Sequence, residues 1–152
     1  MDEEPSPTRE SRPSVTTLTV TTERAPSGVT VLRVAGDVDL VSGGEVRERA
    51  HRAVAEGCRS IVIDLSAVRF CDSSGVGVLI GTRRLLRSCA GELRLVLPDA
   101  PRAGGGCAEV HRVFNALGIR RLFAIHPDLP SALAQAAATA AATAARTLST
   151  AQ

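Results

Sequence analysis

Residues 61–82 read IVIDLSAVRFCDSSGVGVLIGT, a stretch that joins a buried strand to a helix through a turn rich in hydroxyls and glycine. Ile61, Val62 and Ile63 form a short apolar run closed by Asp64, and Gly75 to Leu86 carries apolar residues at helical spacing. Ser73 and Ser74 fall between the two, where a helix N-cap is expected and a serine oxygen accepts a first-turn amide for about 1 kcal/mol. Gly75 and Gly77 sit in that first turn, although each glycine costs a helix roughly 0.8–1 kcal/mol relative to alanine. Their presence predicts a close approach to that backbone.

Working outward, Leu18 to Thr22 and Val29 to Val34 are β-branched and partly alternating, and Ala25, Pro26, Ser27 and Gly28 supply turn chemistry for an antiparallel pair. Ser42-Gly43-Gly44-Glu45 predicts a capping box. Val46, Ala50, Ala53 and Val54 then make one helix face, which Gly57 stops. Beyond the signature, Leu93, Leu95 and Leu97 alternate as a strand ended by Pro98. Val110, Val113, Phe114 and Leu117 form a helix stripe stopped by Gly118. Leu122 to Ile125 reads as a last short strand, and Asp128 as the cap of a helix through Leu129 and Leu133. Strands alternating with helices imply an α/β sandwich, with helices on a mostly parallel mixed sheet of about five strands and about four helices, begun by an antiparallel hairpin.

Three regions follow from composition. Residues 1–14 hold prolines and charges with no apolar run, which predicts a disordered amino-terminal tail. The working domain spans 15–135. Residues 136–152 are an Ala/Thr-rich low-complexity tail, into which the last helix is expected to run and fray.

The chain has 152 residues, 44% of them hydrophobic, enough for one core-bearing domain. Aromatics are 2%, all phenylalanine, so the core is aliphatic and no base-stacking platform exists. A net charge of +2 comes from 18 arginines, no lysine and 16 acids, interleaved along the chain. This argues against direct nucleic-acid binding, and the densest group, Arg83, Arg84 and Arg87, reads as a solvated helix face. No apolar segment nears the ~20 residues of a membrane span, and no signal-peptide pattern opens the chain, so a cytoplasmic protein is expected. Cys58, Cys71, Cys89 and Cys107 contain no CxxC pair, and His51, His111 and His126 share no ligand spacing. Free thiols, no metal and no cofactor are the expectation.

The string DLSAVRFCDSSGVGVLI closely resembles the signature of the STAS family of anti-sigma factor antagonists, in which Asp-Leu-Ser at a strand end leads to Asp-Ser-Ser-Gly-hydrophobic-Gly. GDVDLVSGGEVRERA and VHRVFNALGIRRLF resemble flanking segments of that family, so the likeness covers nearly all of Leu18 to Gln135. It implies the same α/β arrangement, and it implies that the serine after Asp72, Ser73, is a phosphorylation site, with Ser74 the alternative. Asp37 and Asp39 resemble the family's acidic positions near the acceptor, and with Asp72, Ser73, Ser74, Gly75 and Gly77 they would form the partner surface. Two departures stand out. Cys71 replaces a commonly apolar residue, and the loop PDAPRAGGGC at 98–107 looks longer and richer in glycine.

A phosphoserine adds about −1.5 to −2 charge, which a helix N-terminus accommodates, so its effect is expected at an interface rather than on the fold. The resemblance implies a non-enzymatic partner switch. The unphosphorylated chain would bind an anti-sigma factor that is also a serine kinase, freeing a sigma factor; phosphorylation of Ser73 would release it, and a metal-dependent serine phosphatase would reset it. The alternative is a constitutive STAS scaffold in a stress-sensing or lipid-transport complex. A serine enzyme is disfavoured, because DSSGVG lacks the glycine two positions before the serine that a nucleophile elbow needs. A phosphate-binding loop is disfavoured because no lysine follows these glycines.

Overall fold

Alternation along the central strand sets the layers. In the computed structural model, which describes residues 18–99 and 107–151, Ile61, Ile63 and Leu65 point into one apolar layer and Val62 into another. The expected tail over 1–14 and most of the 98–107 loop lie outside the described residues.

β1 (Leu18–Arg24) and β2 (Thr30–Val38) are the antiparallel pair, joined through Gly28 at a φ of +90°. After α1 (Gly43–Ala55), β3 (Ser60–Cys71) lies parallel to β2. α2 (Ser73–Ser88), β4 (Glu92–Val96) and α3 (Cys107–Leu117) follow, and then β5 (Ala124–His126) and α4 (Leu129–Ala151). The sheet order is β1-β2-β3-β4-β5, with every pairing after the first parallel. α1, α2 and α3 bury Val46, Ala50, Leu79, Leu86, Val110 and Phe114 on one face of the sheet, and α4 covers Val31, Val62 and Val96 on the other. Gly57 at φ +98° and Gly118 at φ +64° end α1 and α3, as their left-handed tolerance requires.

β3 is longer than its apolar run suggests. It passes Asp64 and continues to Cys71, because β2 extends to Val38 and pairs with it across two register shifts, at Arg33/Ala35 and Gly36/Asp37: Ala35 opposite Ala67, Asp37 opposite Phe70, Val38 opposite Cys71. The buried Asp64 is tolerated because its Oδ1 accepts from the Ser66 amide at 3.0 Å and the Ser66 hydroxyl at 2.6 Å.

The last strand starts later than Leu122. Ile119 and Phe123 turn inward four residues apart around a short 3₁₀ turn, Arg120–Leu122, which leaves Leu122 exposed. The final helix continues past Gln135. It runs to Ala151, and Ala132 and Ala136, one turn apart, are fully buried against the sheet. Small side chains let the helix lie close to the strands, and Thr139 Oγ1 accepts from the guanidinium of Arg94 on β4 at 3.0 Å.

Candidate functional site

The carboxyl ends of β2 and β3 deliver the signature residues to one end of the sheet. The Asp72 amide donates to Val38 O at 3.3 Å, tying the β3–α2 turn to the end of β2. The helix cap is Asp72, not a serine: with extended backbone, its Oδ1 accepts from the Gly75 amide at 2.9 Å. Ser73 is therefore the first residue inside α2. It is exposed, and its hydroxyl has no partner among the described residues. Ser74 is half-buried. No carbonyl precedes Ser73 and Ser74 in the helix to receive their amides, so these amides have no acceptor within the helix.

The two signature glycines differ. Gly75 is buried, and a Cβ there would stand 2.5 Å from Val38 O and 2.9 Å from Cys71 Sγ, so its close approach is to this chain's own β2. Cys71 is a buried packing residue, as its place in the sequence suggests, and burial first, with Asp72 beside it, pushes its thiol up to about 12. Gly77 is exposed and opens on empty space, and so is Gly81 one turn later. Ser73, Gly77 and Gly81 share a helix face at successive intervals of four, which leaves a stripe of bare backbone running from the serine.

Asp37 and Asp39 come to the same end. Asp37, on β2, faces Arg69 at 3.8 Å. Asp39 turns inward on its own loop: its Oδ1 accepts from the amides of Val41 at 3.1 Å and Ser42 at 2.8 Å and lies 2.9 Å from the Ser42 hydroxyl. The Ser42 bonds hold its carboxyl below the usual value. The expected capping box does not form. Ser42 already has helical backbone, its hydroxyl reaches Asp37 O at 2.7 Å instead of a first-turn amide, and Glu45 pairs with Arg49 at 2.9 Å.

This bonded loop displays two apolar side chains that the sequence reading passed over. Leu40 is 76% exposed and Val41 89%, and Phe70 on the neighbouring strand is also exposed. Adjacent exposed apolar residues, Leu40 and Val41, at a turn held by its own hydrogen bonds suit a partner surface. The available signal was Leu-Val between Asp39 and Ser42, outside any helical or strand period. Among the described residues no group of His, Cys, Asp or Glu could hold a metal ion, and no helix is long and apolar enough to cross a membrane.

Comparison with known proteins matches residues 21–132 to a family model described as the STAS domain. An anti-sigma F factor antagonist of Paenibacillus polymyxa is 28% identical over 109 residues, covering 71% of this chain and 86% of that protein. The anti-sigma-F factor antagonist RsfB of Mycobacterium tuberculosis is 39% identical over 56 residues, 37% of this chain and 46% of its own. The crystal structure of an anti-sigma factor antagonist from Mycobacterium paratuberculosis superposes with a TM-score of 0.66 at 28% identity, over 79% of this chain and 94% of that one.

Proposed function

The chain belongs to the STAS domain family, and we propose that it is an anti-sigma factor antagonist switched by phosphorylation of Ser73. The observation that carries the switch is the free, exposed Ser73 hydroxyl at the first position of a helix already capped by Asp72. A kinase can reach it without breaking a bond of the fold.

In the unphosphorylated state, Leu40, Val41, Phe70 and the bare Ser73–Gly77–Gly81 face bind an anti-sigma factor, which then no longer holds its sigma factor. The chain acts through binding and catalyses nothing. The anti-sigma factor is itself a serine kinase. It moves the γ-phosphoryl group of ATP onto Ser73 Oγ, the hydroxyl proton passes to a base of the kinase, and ADP leaves. The Ser73 and Ser74 amides and the helix dipole accommodate the phosphate, so the fold persists. The interface does not, because a dianion set among apolar contacts and bare backbone lacks counter-charge and must be desolvated. A serine phosphatase restores the binding form.

The test is intact mass and peptide mapping after incubation with a candidate anti-sigma kinase and ATP, followed by calorimetric titration of wild type, Ser73→Asp and the phosphorylated protein against that partner. Phosphate on Ser73 and a loss of at least about thirtyfold in affinity for Ser73→Asp, more for phosphoserine, support the switch. Equal affinities across the three forms would leave a constitutive scaffold.

A further inference from the structure

At the other end of β3 from Ser73, a cleft of 350 Å³ opens between the first residues of β3 and β4 and the outer half of α4. We propose that it binds a small monocarboxylate with a short apolar body, at a site separate from the switch face. β3 spans 12 residues from Ser60 to Cys71, which places the two sites roughly 35 Å apart at about 3.3 Å per residue.

The floor is the α2–β4 turn, and it is closely packed. Ala90 takes a left-handed φ of 62°, and a Cβ on Gly91 would stand 2.5 Å from Arg59 O, so backbone packs directly on backbone. The Gly91 and Glu92 amides are spent on Leu86 O at 2.6 Å and Arg59 O at 2.9 Å. Recognition therefore falls to side chains. Glu92 is neutralised by Arg94, which reaches its two oxygens at 3.1 and 3.2 Å and also holds Thr139 of α4.

Arg59 and Ser60 offer donors. Arg59 spends Nη1 on Val54 O and Cys58 O, leaving Nε and Nη2 for a ligand. Ser60 Oγ is shielded from solvent with no partner, the one such buried side-chain nitrogen or oxygen among the described residues. A buried hydroxyl without a partner needs an explanation, and rotation about χ1 would engage it with an acceptor in the cleft. A guanidinium and a hydroxyl, with no unpaired carboxylate beside them, select an anionic acceptor. The small side chains of Ala90, Thr139, Ala140 and Thr143 complete the lining and leave room for a short apolar body.

The test is titration of the full-length ¹⁵N-labelled protein with octanoate, with octanol and matched sodium chloride as controls, followed by amide NMR. Saturable shifts at Ser60, Gly91, Glu92, Thr139 and Ala140, with a dissociation constant on the order of 1 mM, are expected. Arg59→Gln should weaken binding about tenfold. Ala140→Phe, at an exposed position, should fill the cleft and abolish binding without lowering the melting midpoint. Shifts that do not saturate, shifts centred on Leu40 and Val41, or an unchanged titration of Ala140→Phe would overturn the site. Equal binding of octanol and octanoate would overturn the carboxylate assignment.

Discussion

The carboxylate of Asp72 accepts the amide of Gly75 at 2.9 Å, and that bond releases Ser73 from the capping role. The residue before the serine holds the helix start, so the hydroxyl can be modified, and the fold need not register it.

This separation is measurable. Asp72→Ala should cost about 1 kcal/mol in chemical denaturation, the ordinary value of a lost N-cap, whereas Ser73→Ala should stay within about 0.5 kcal/mol of wild type. A larger loss for Ser73→Ala would return the cap to the serine.

Gly75 and Gly77 should respond in opposite directions to alanine. Gly75→Ala drives a methyl group against Val38 O and Cys71 Sγ and should destabilise by about 2 kcal/mol, whereas Gly77→Ala meets open space and should gain about 0.5–1 kcal/mol of helix propensity. If Gly77 lies under the partner, the stabilised variant will also bind the anti-sigma factor more weakly, which titration against thermal melting would show.

Leu40→Ser with Val41→Ser should leave the melting midpoint unchanged, since both side chains stand in solvent. Affinity for the anti-sigma factor should fall at least about tenfold. Asp39→Ala should lower both, because it removes the acceptor that shapes the loop.

Truncation distinguishes a docked helix from a tail. Ending the chain after Gln135 removes buried Ala136 and takes Thr139 from the buried Arg94, and should cost about 2 kcal/mol or more in denaturant unfolding. Ending it after the exposed Ala145 should cost little.

Burial, then Arg94 at 3.2 Å from Nε2, lowers the His126 value below 6.5, with Asp128 and Glu92 opposing. The neutral ring accepts from the guanidinium, and the unfolded chain takes up the proton first as pH falls. Stability should therefore be full above pH 6.5 and decline as the pH falls through it. His126→Gln should flatten the melting midpoint between about pH 7.5 and 5.5, a window above the carboxylate titrations.

The β1–β2 hairpin, α1, the glycine stops at 57 and 118 and the strand-turn-helix at 61–82 were legible because each rests on neighbours in sequence: periodicity, left-handed tolerance, turn chemistry, although β2 runs four residues beyond Val34 to Val38. The length of β3 was not, because pairing with β2 carries it past Asp64 to Cys71. The docking of Ala136 and Thr139 was also hidden. An alanine and threonine run has no apolar stripe to announce burial, and the sheet surface that receives it is assembled from strands far away in sequence.

Sequence alone determined the family and the α/β order, and it singled out the serine on which the proposed switch rests, since local pattern and motif spacing carry all three. Tertiary structure decided what each signature residue does. Asp72 took the cap because the β3–α2 turn is pinned to Val38, Gly75 proved to be demanded by this chain's own backbone, and Asp39 was drawn into the loop that puts Leu40 and Val41 into solvent. Hydrogen bonds between residues and contacts across strands settle such roles. Both depend on which groups the fold brings within 3 Å of each other, a relation that composition and period do not encode.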